Sequence, residues 1–122
     1  MRFMFKPIAA AAMLCLAGVT ANAADQDFTL YNETGYTIDK VFVSAVGKTT
    51  WGSDILGTGK LDEGEKVAIT FKSSTTACNF DLKVVYDDDD SSAEWGDIDL
   101  CTVAEVEIHY NRKSGKTSAI FR

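Results

Sequence analysis

The sequence predicts an all-β domain, a small antiparallel β-sandwich of about seven strands with a small β-barrel as the alternative, and three observations predict it. Short stretches alternate apolar and polar residues with period 2, turn-forming clusters separate them at regular spacing, and no helix-period segment follows residue 23 in a chain with a single proline.

Residues 1–23 read as a signal peptide: Arg2 and Lys6 precede an apolar run from Ile8 to Val19, and Ala21-Asn22-Ala23 is a small-residue cleavage site. The run is shorter than the roughly 20 residues that span hydrocarbon. Cys15 leaves with the signal, since Leu14 stands before it where lipid attachment wants a small residue. Removing 23 of the 122 residues leaves 99, residues 24–122, enough for one domain and too few for two cores. Periplasmic or secreted location follows. The full chain carries a net charge of -6, and loss of Arg2 and Lys6 takes the mature chain to -8. That sign argues against nucleic acid and anionic membranes as partners and favours cations or basic surfaces.

In chain order, Phe28 and Leu30 alternate with Asp27 and Thr29 in a first strand, and Asn32-Glu33-Thr34-Gly35 supplies a turn. Tyr36 to Val46 is β-branched, but Ile38 and the pair Val41, Val43 hold opposite parity, which predicts a bulge at Asp39-Lys40. Gly47 to Gly64 is the main irregular loop. Val67, Ile69 and Phe71 alternate with Lys66, Ala68 and Lys72 in a third strand. Phe80, Leu82, Val84 and Tyr86 then form one arm of a hairpin whose acidic run turns it back toward Cys101.

If Cys78 opposes Cys101, the fold-back point falls between Asp89 and Asp90, inside the turn-forming run, and the two remaining cysteines form a disulfide. That register sets Ile98 and Leu100 against polar partners. A bulge at Gly96 would repair it, bringing Ile98 opposite Leu82 and offsetting Cys101 from Cys78 by one position. Val106, Ile108 and Tyr110 make the cleanest amphipathic strand, and Asn111 to Gly115 turns it into the last, Thr117 to Phe121.

For chemistry the chain offers little. His109 is the only histidine, on the polar side of its strand between Glu107 and Asn111, which excludes a catalytic triad and a multi-histidine zinc site. Carboxylates are too abundant to single out a catalytic pair, and no catalytic residue is assigned. The consecutive Asp87, Asp88, Asp89 and Asp90, with Ser91 and Ser92, suit a hard cation; the reading is weak Ca²⁺ binding at an acidic hairpin tip, set against a solvated turn. Asp87-Asp88-x-x-Ser91-Ser92 also resembles the calcium motif of βγ-crystallin domains, without the second copy that completes a paired site. Trp51 and Trp95 are candidates to stack on a ligand or to plug the core.

Asn32-x-Thr34-Gly35-Tyr36-x-Ile38, Trp51-Gly52-x-Asp54-x-Leu56, Cys78-x-Phe80-Asp81-Leu82 and Asp99-Leu100-Cys101 together resemble a family of small secreted bacterial β-sandwich proteins with no assigned activity. The resemblance implies a fold and a compartment and brings no catalytic residue. A looser one, to secreted β-sandwich toxins of the aegerolysin type, supplies the alternative of a membrane-active lipid-binding protein. The expectation is a non-enzymatic module that binds a protein or small-molecule ligand, with a minor hydrolase as the third reading.

Overall fold

The computed structural model describes residues 24–122; the segment read as a signal peptide, residues 1–23, lies outside them. Seven strands follow one another: β1 (Phe28–Asn32), β2 (Ile38–Ala45), β3 (Lys66–Ile69), β4 (Asn79–Tyr86), β5 (Ser92–Asp99), β6 (Glu105–Asn111) and β7 (Lys116–Phe121). They form two sheets, one in the order β3-β1-β6-β7 and one in the order β2-β4-β5. The sandwich is the expected fold, and neither sheet closes into a barrel.

Alternation does the sorting. Phe28, Leu30, Val106 and Ile108 of the first sheet and Val41, Phe80, Leu82, Val84, Ala93, Trp95 and Ile98 of the second turn inward, and they are buried. A fully buried side chain of this size contributes roughly 1.5 to 3 kcal/mol before entropy is charged against it. Among the described residues the one departure from antiparallel pairing is β1 beside β6, which run parallel with Leu30 opposite Val106. Alternation within a strand fixes which face is buried and says nothing about direction, so a pair so distant in sequence could not be oriented from it.

Both expected bulges are present. The β2–β4 register slips between Ile38 and Lys40, leaving Asp39 unopposed, so Ile38 and Val41 both face the core. In the β4–β5 pair the slip lies between Phe80 and Leu82, where Gly96 and Asp97 together oppose Asp81. The details differ from expectation. Ile98 meets Phe80, not Leu82, and Leu82 takes Trp95. The tip-side register places the fold-back between Asp88 and Asp89, one residue earlier than expected, because Tyr86 N–H bonds to Ser91 O (2.8 Å) and Asp90 adopts φ 58°. At the bulge the left-handed residue is Asp97 (φ 56°), whose N–H donates to Asp81 Oδ1 at 2.9 Å. Asp tolerates this region better than most residues, and the side-chain acceptor takes the N–H that the ladder leaves over.

The long loop seals a sheet edge. Asp54 Oδ1 accepts from Val41 N (2.9 Å), Ile55 N donates to Val41 O (2.8 Å), and Ile38 and Leu61 exchange both backbone bonds at 2.9 Å. The outer side of β2 is thereby covered.

Candidate functional site

At the end of the sandwich where the β4–β5 hairpin turns, three tyrosines cluster. Tyr86 and Tyr110 stack with ring centroids 5.1 Å apart, and Tyr36 meets them edge-on at 6.0 and 6.2 Å. Burial pushes the Tyr86 phenol up to about 12, with Tyr110 adding to it, so the ring stays neutral. Over Tyr36 lies the guanidinium of Arg112, 3.7 Å from the ring centroid. Its fork reaches Asp88, with Nη1 donating to Oδ2 at 2.7 Å and Nη2 to Oδ1 at 3.0 Å. This bidentate pair joins the β6–β7 turn to the β4–β5 tip, and it holds the Asp88 carboxyl below its ordinary value.

The other tip residues are also engaged. Asp87 pairs with Lys60, which bridges to Asp39 at 3.2 Å. Asp89 Oδ1 accepts from Ser91 Oγ (2.6 Å) and Ser91 N (3.0 Å), and these two bonds lower its pKa. Among the described residues, no three tip carboxylates bring oxygens within 4.8 Å of one another. Asp87 and Asp88 are taken up by Lys60 and Arg112, and Asp89 by Ser91, so a cation that drew on Asp87 or Asp88 would have to displace Lys60 or Arg112. With this geometry we expect CaCl₂ and NaCl at matched ionic strength to shift the melting temperature equally, by screening. A rise of several degrees specific to CaCl₂, and lost in Asp88→Asn/Asp90→Asn, would restore the calcium site.

The remaining candidates separate. Trp95 is 7 % exposed, with its indole N–H donating to Ser118 O at 3.0 Å, so its ring plugs the core between β5 and β7 and offers no face to a ligand. Trp51 is half-buried beside β4, with the Lys83 ammonium 5.8 Å from its ring centroid. Cys78 and Cys101 form the expected disulfide, Cα atoms 5.1 Å apart. Asp99 lies within 4.8 Å of both sulfurs, but bonded sulfurs are no thiolate ligands. His109 Nε2 sits 2.6 Å from Glu107 Oε2, and Arg122 reaches Glu107 at 3.2 Å, which holds Glu107 below its ordinary value, chiefly through His109. Grooves of about 370 Å³ beside His109 and Lys116, and about 620 Å³ beside Lys60 and Lys66, lie open to solvent.

One feature the residue patterns did not single out is the outer edge of β7. Glu105 and Arg122 exchange both backbone bonds at 2.9 Å. Antiparallel alternation then turns the backbone groups of Ser118 and Ile120 toward β6 and those of Thr117, Ala119 and Phe121 outward. Among the described residues no strand pairs with that side. Ile120 and Phe121 are 46 % and 47 % exposed. The signal was there: two adjacent apolar residues in a strand point to opposite faces, so a small sandwich leaves one of them outside. Compared with protein-family models, curated proteins and solved structures, the chain matches none.

Proposed function

We propose that this protein is a periplasmic or secreted, non-enzymatic interaction module that binds an extended segment of a partner protein along β7. The observation that carries the reading is the unpaired edge of β7, with Ile120 and Phe121 exposed beside it. Natural sheets protect their edges, and here the others are protected. The loop covers β2, β3 has only four residues, and β5 is broken by its bulge and bears exposed Glu94, Asp97 and Asp99. β7 keeps an unbroken register with β6 over six residues and contains no proline. Such an edge supports strand addition, in which main-chain bonds give affinity and alternate side chains give selectivity. The disulfide supports an oxidising compartment.

The test is a photo-crosslinker at position 120 in producing cells, with and without Ala119→Pro. That proline removes an N–H that β6 does not use, so the ladder survives. We expect one discrete adduct that Ala119→Pro suppresses while the melting temperature holds. A diffuse adduct pattern, or a discrete one indifferent to the proline, would remove strand addition as the function.

A further inference from the structure

Resting on that reading, we infer that the segment β7 accepts is acidic: an extended stretch with Asp or Glu where it passes Lys116 and apolar residues where it passes Ile120 and Phe121. The residues of the edge itself carry the inference. Residues 116–122 hold Lys116 and Arg122 and no acid, and the turn before them holds Arg112 and Lys113. These four differ in what they already engage. Arg112 is taken up by Asp88 and Asp89, and Arg122 by Glu105 and Glu107. None of the ion pairs among the described residues involves Lys113 or Lys116, and both stand exposed. Other lysines are also unpaired, so Lys116 is singled out by its position. In the β6–β7 register Lys116 opposes Asn111, Ser118 opposes His109 and Ile120 opposes Glu107. Ile108 and Val106, of the other parity, are buried, so Lys116, Ser118 and Ile120 form one row on the outer face of the sheet.

A strand added to the free edge would set every second side chain beside that row, with cross-strand Cβ atoms about 5 Å apart. A carboxylate so placed meets the Lys116 ammonium beside the groove that Thr117, Ser118 and His109 line. Further along the row the neighbour is Ile120, and on the inner face it is Phe121, where apolar side chains fit. The acids nearby do not cancel this attraction. Glu107 is held between His109 and Arg122. Glu94 of β5 stands opposite Lys83, on the face of its sheet turned away from β7. Glu33 also lines the groove, but it follows β1, and β6 and β7 lie between β1 and the added strand. Three strand spacings make about 14 Å, against a screening length of about 8 Å at physiological salt. The net charge of -8 for residues 24–122 is spread over the whole molecule and screened in the same way, so it slows the approach of an acidic partner without deciding which side chain pairs with Lys116. A second copy of this chain is the disfavoured occupant, because β7 laid against β7 brings no carboxylate to Lys116.

The experiment uses ¹⁵N-labelled protein with two capped peptides, Val-Val-Thr-Thr-Thr-Glu-Thr and its reversed sequence, which place Glu beside Lys116 and Val beside Ile120 in an antiparallel and a parallel strand respectively. We expect one of the two to slow amide exchange at Thr117, Ala119 and Phe121 at saturation, and Ala119→Pro to abolish the protection. Replacing Glu in that peptide by Gln should weaken binding roughly threefold, and replacing it by Lys roughly tenfold, as expected when one exposed cross-strand pair is lost or reversed. Lys116→Glu, an exposed change that leaves the β7 edge intact, should invert the order so that the Lys peptide binds best. Equal binding of the Glu, Gln and Lys peptides, or an order that Lys116→Glu leaves unchanged, would overturn the acidic class and leave strand addition standing. Binding without protection of the three amides would reduce the effect to diffuse attraction and overturn the inference. Failure of both peptides at millimolar concentration would also overturn it, while the crosslinking result decides separately whether β7 is used at all.

Discussion

Replacing Asn32 by alanine is expected to cost about 3 to 4 kcal/mol, lowering the melting temperature by more than about 10 °C in a domain of this size. Asn32 ends β1 on its inward face and is 0 % exposed. Its Nδ2 donates to Tyr36 O (2.8 Å) and Leu61 O (2.9 Å), and its Oδ1 accepts from Thr34 N (3.1 Å) and Thr34 Oγ1 (2.6 Å). One amide therefore ties the end of β1, the turn after it and the far end of the long loop. Alanine leaves the Thr34 N–H without its acceptor in a site closed to water, worth about 1 to 3 kcal/mol, and the missing amide adds a cavity term. Leu61 O suffers less, because it still accepts from Ile38 N at 2.9 Å. Asn32→Asp separates hydrogen bonding from size. A carboxylate keeps Thr34 satisfied but faces two carbonyls with nothing to donate, so its folded pKa must rise above the unfolded value. Asn32→Asp should thus be destabilised near pH 7 and recover as pH falls through that raised value, when the protonated acid can donate. Urea melts across pH read both. A loss under about 1 kcal/mol for Asn32→Ala, or an Asn32→Asp variant that weakens further on acidification, would refute this account.

Asn32 also marks how far the residues alone could lead. Asn32-Glu33-Thr34-Gly35 is legible as a turn, and Gly35 does take φ 85° there. That the asparagine is buried and bridges to Leu61 is not legible, because composition marks a turn former without naming its distant partner. The same boundary runs through the rest of the molecule. The bulge at Asp39 shows as a parity slip within one strand, so it could be seen. The bulge at Gly96-Asp97 could also be placed, but its register depended on the turn, and four identical aspartates give no local reason to fold at one bond over the next. The tip reads as a cation site from Asp87 to Ser92 alone. Lys60 and Arg112, which pair with Asp87 and Asp88, come from other loops, and no periodicity connects them. Trp95 and Trp51 look alike in their Trp-Gly dipeptides, yet one faces the core because it shares a face with Leu82 and the other lies on a loop. The β7 edge is a property of sheet order, which depends on β6 finding β1, and that parallel pairing has no local signature.

Removing the disulfide is expected to lower stability by roughly 3 to 3.5 kcal/mol, the loop-closure value for a bridge spanning 23 residues. The native geometry gives the cross-link little to distort. Leu100 N already donates to Cys78 O at 2.8 Å, and the one-residue offset that remains between Cys78 and Cys101 is absorbed where the chain turns after β5, with Asp99 Oδ1 accepting from Cys101 N at 3.1 Å. The base of the hairpin would keep its shape without the bond. Leu100 is buried, and Gln26 Nε2 holds the preceding segment through Thr75 O (3.1 Å) and Ala77 O (2.7 Å). The loss should therefore come from the unfolded chain, which regains the freedom that the cross-link denied it, and not from a collapsed native contact. The reduced protein and Cys78→Ser/Cys101→Ser should lose the same amount within error, remain folded at 25 °C, and show faster exchange throughout the core amides that open only by global unfolding. Because a domain has only about 5 to 15 kcal/mol in total, either form should still melt more than about 10 °C lower. Denaturant melts of the oxidised, reduced and double-serine forms measure this. A double-serine variant much less stable than reduced wild type would trace the loss to packing of the sulfurs, and a loss below about 1 kcal/mol would show that the unfolded chain already holds these ends together.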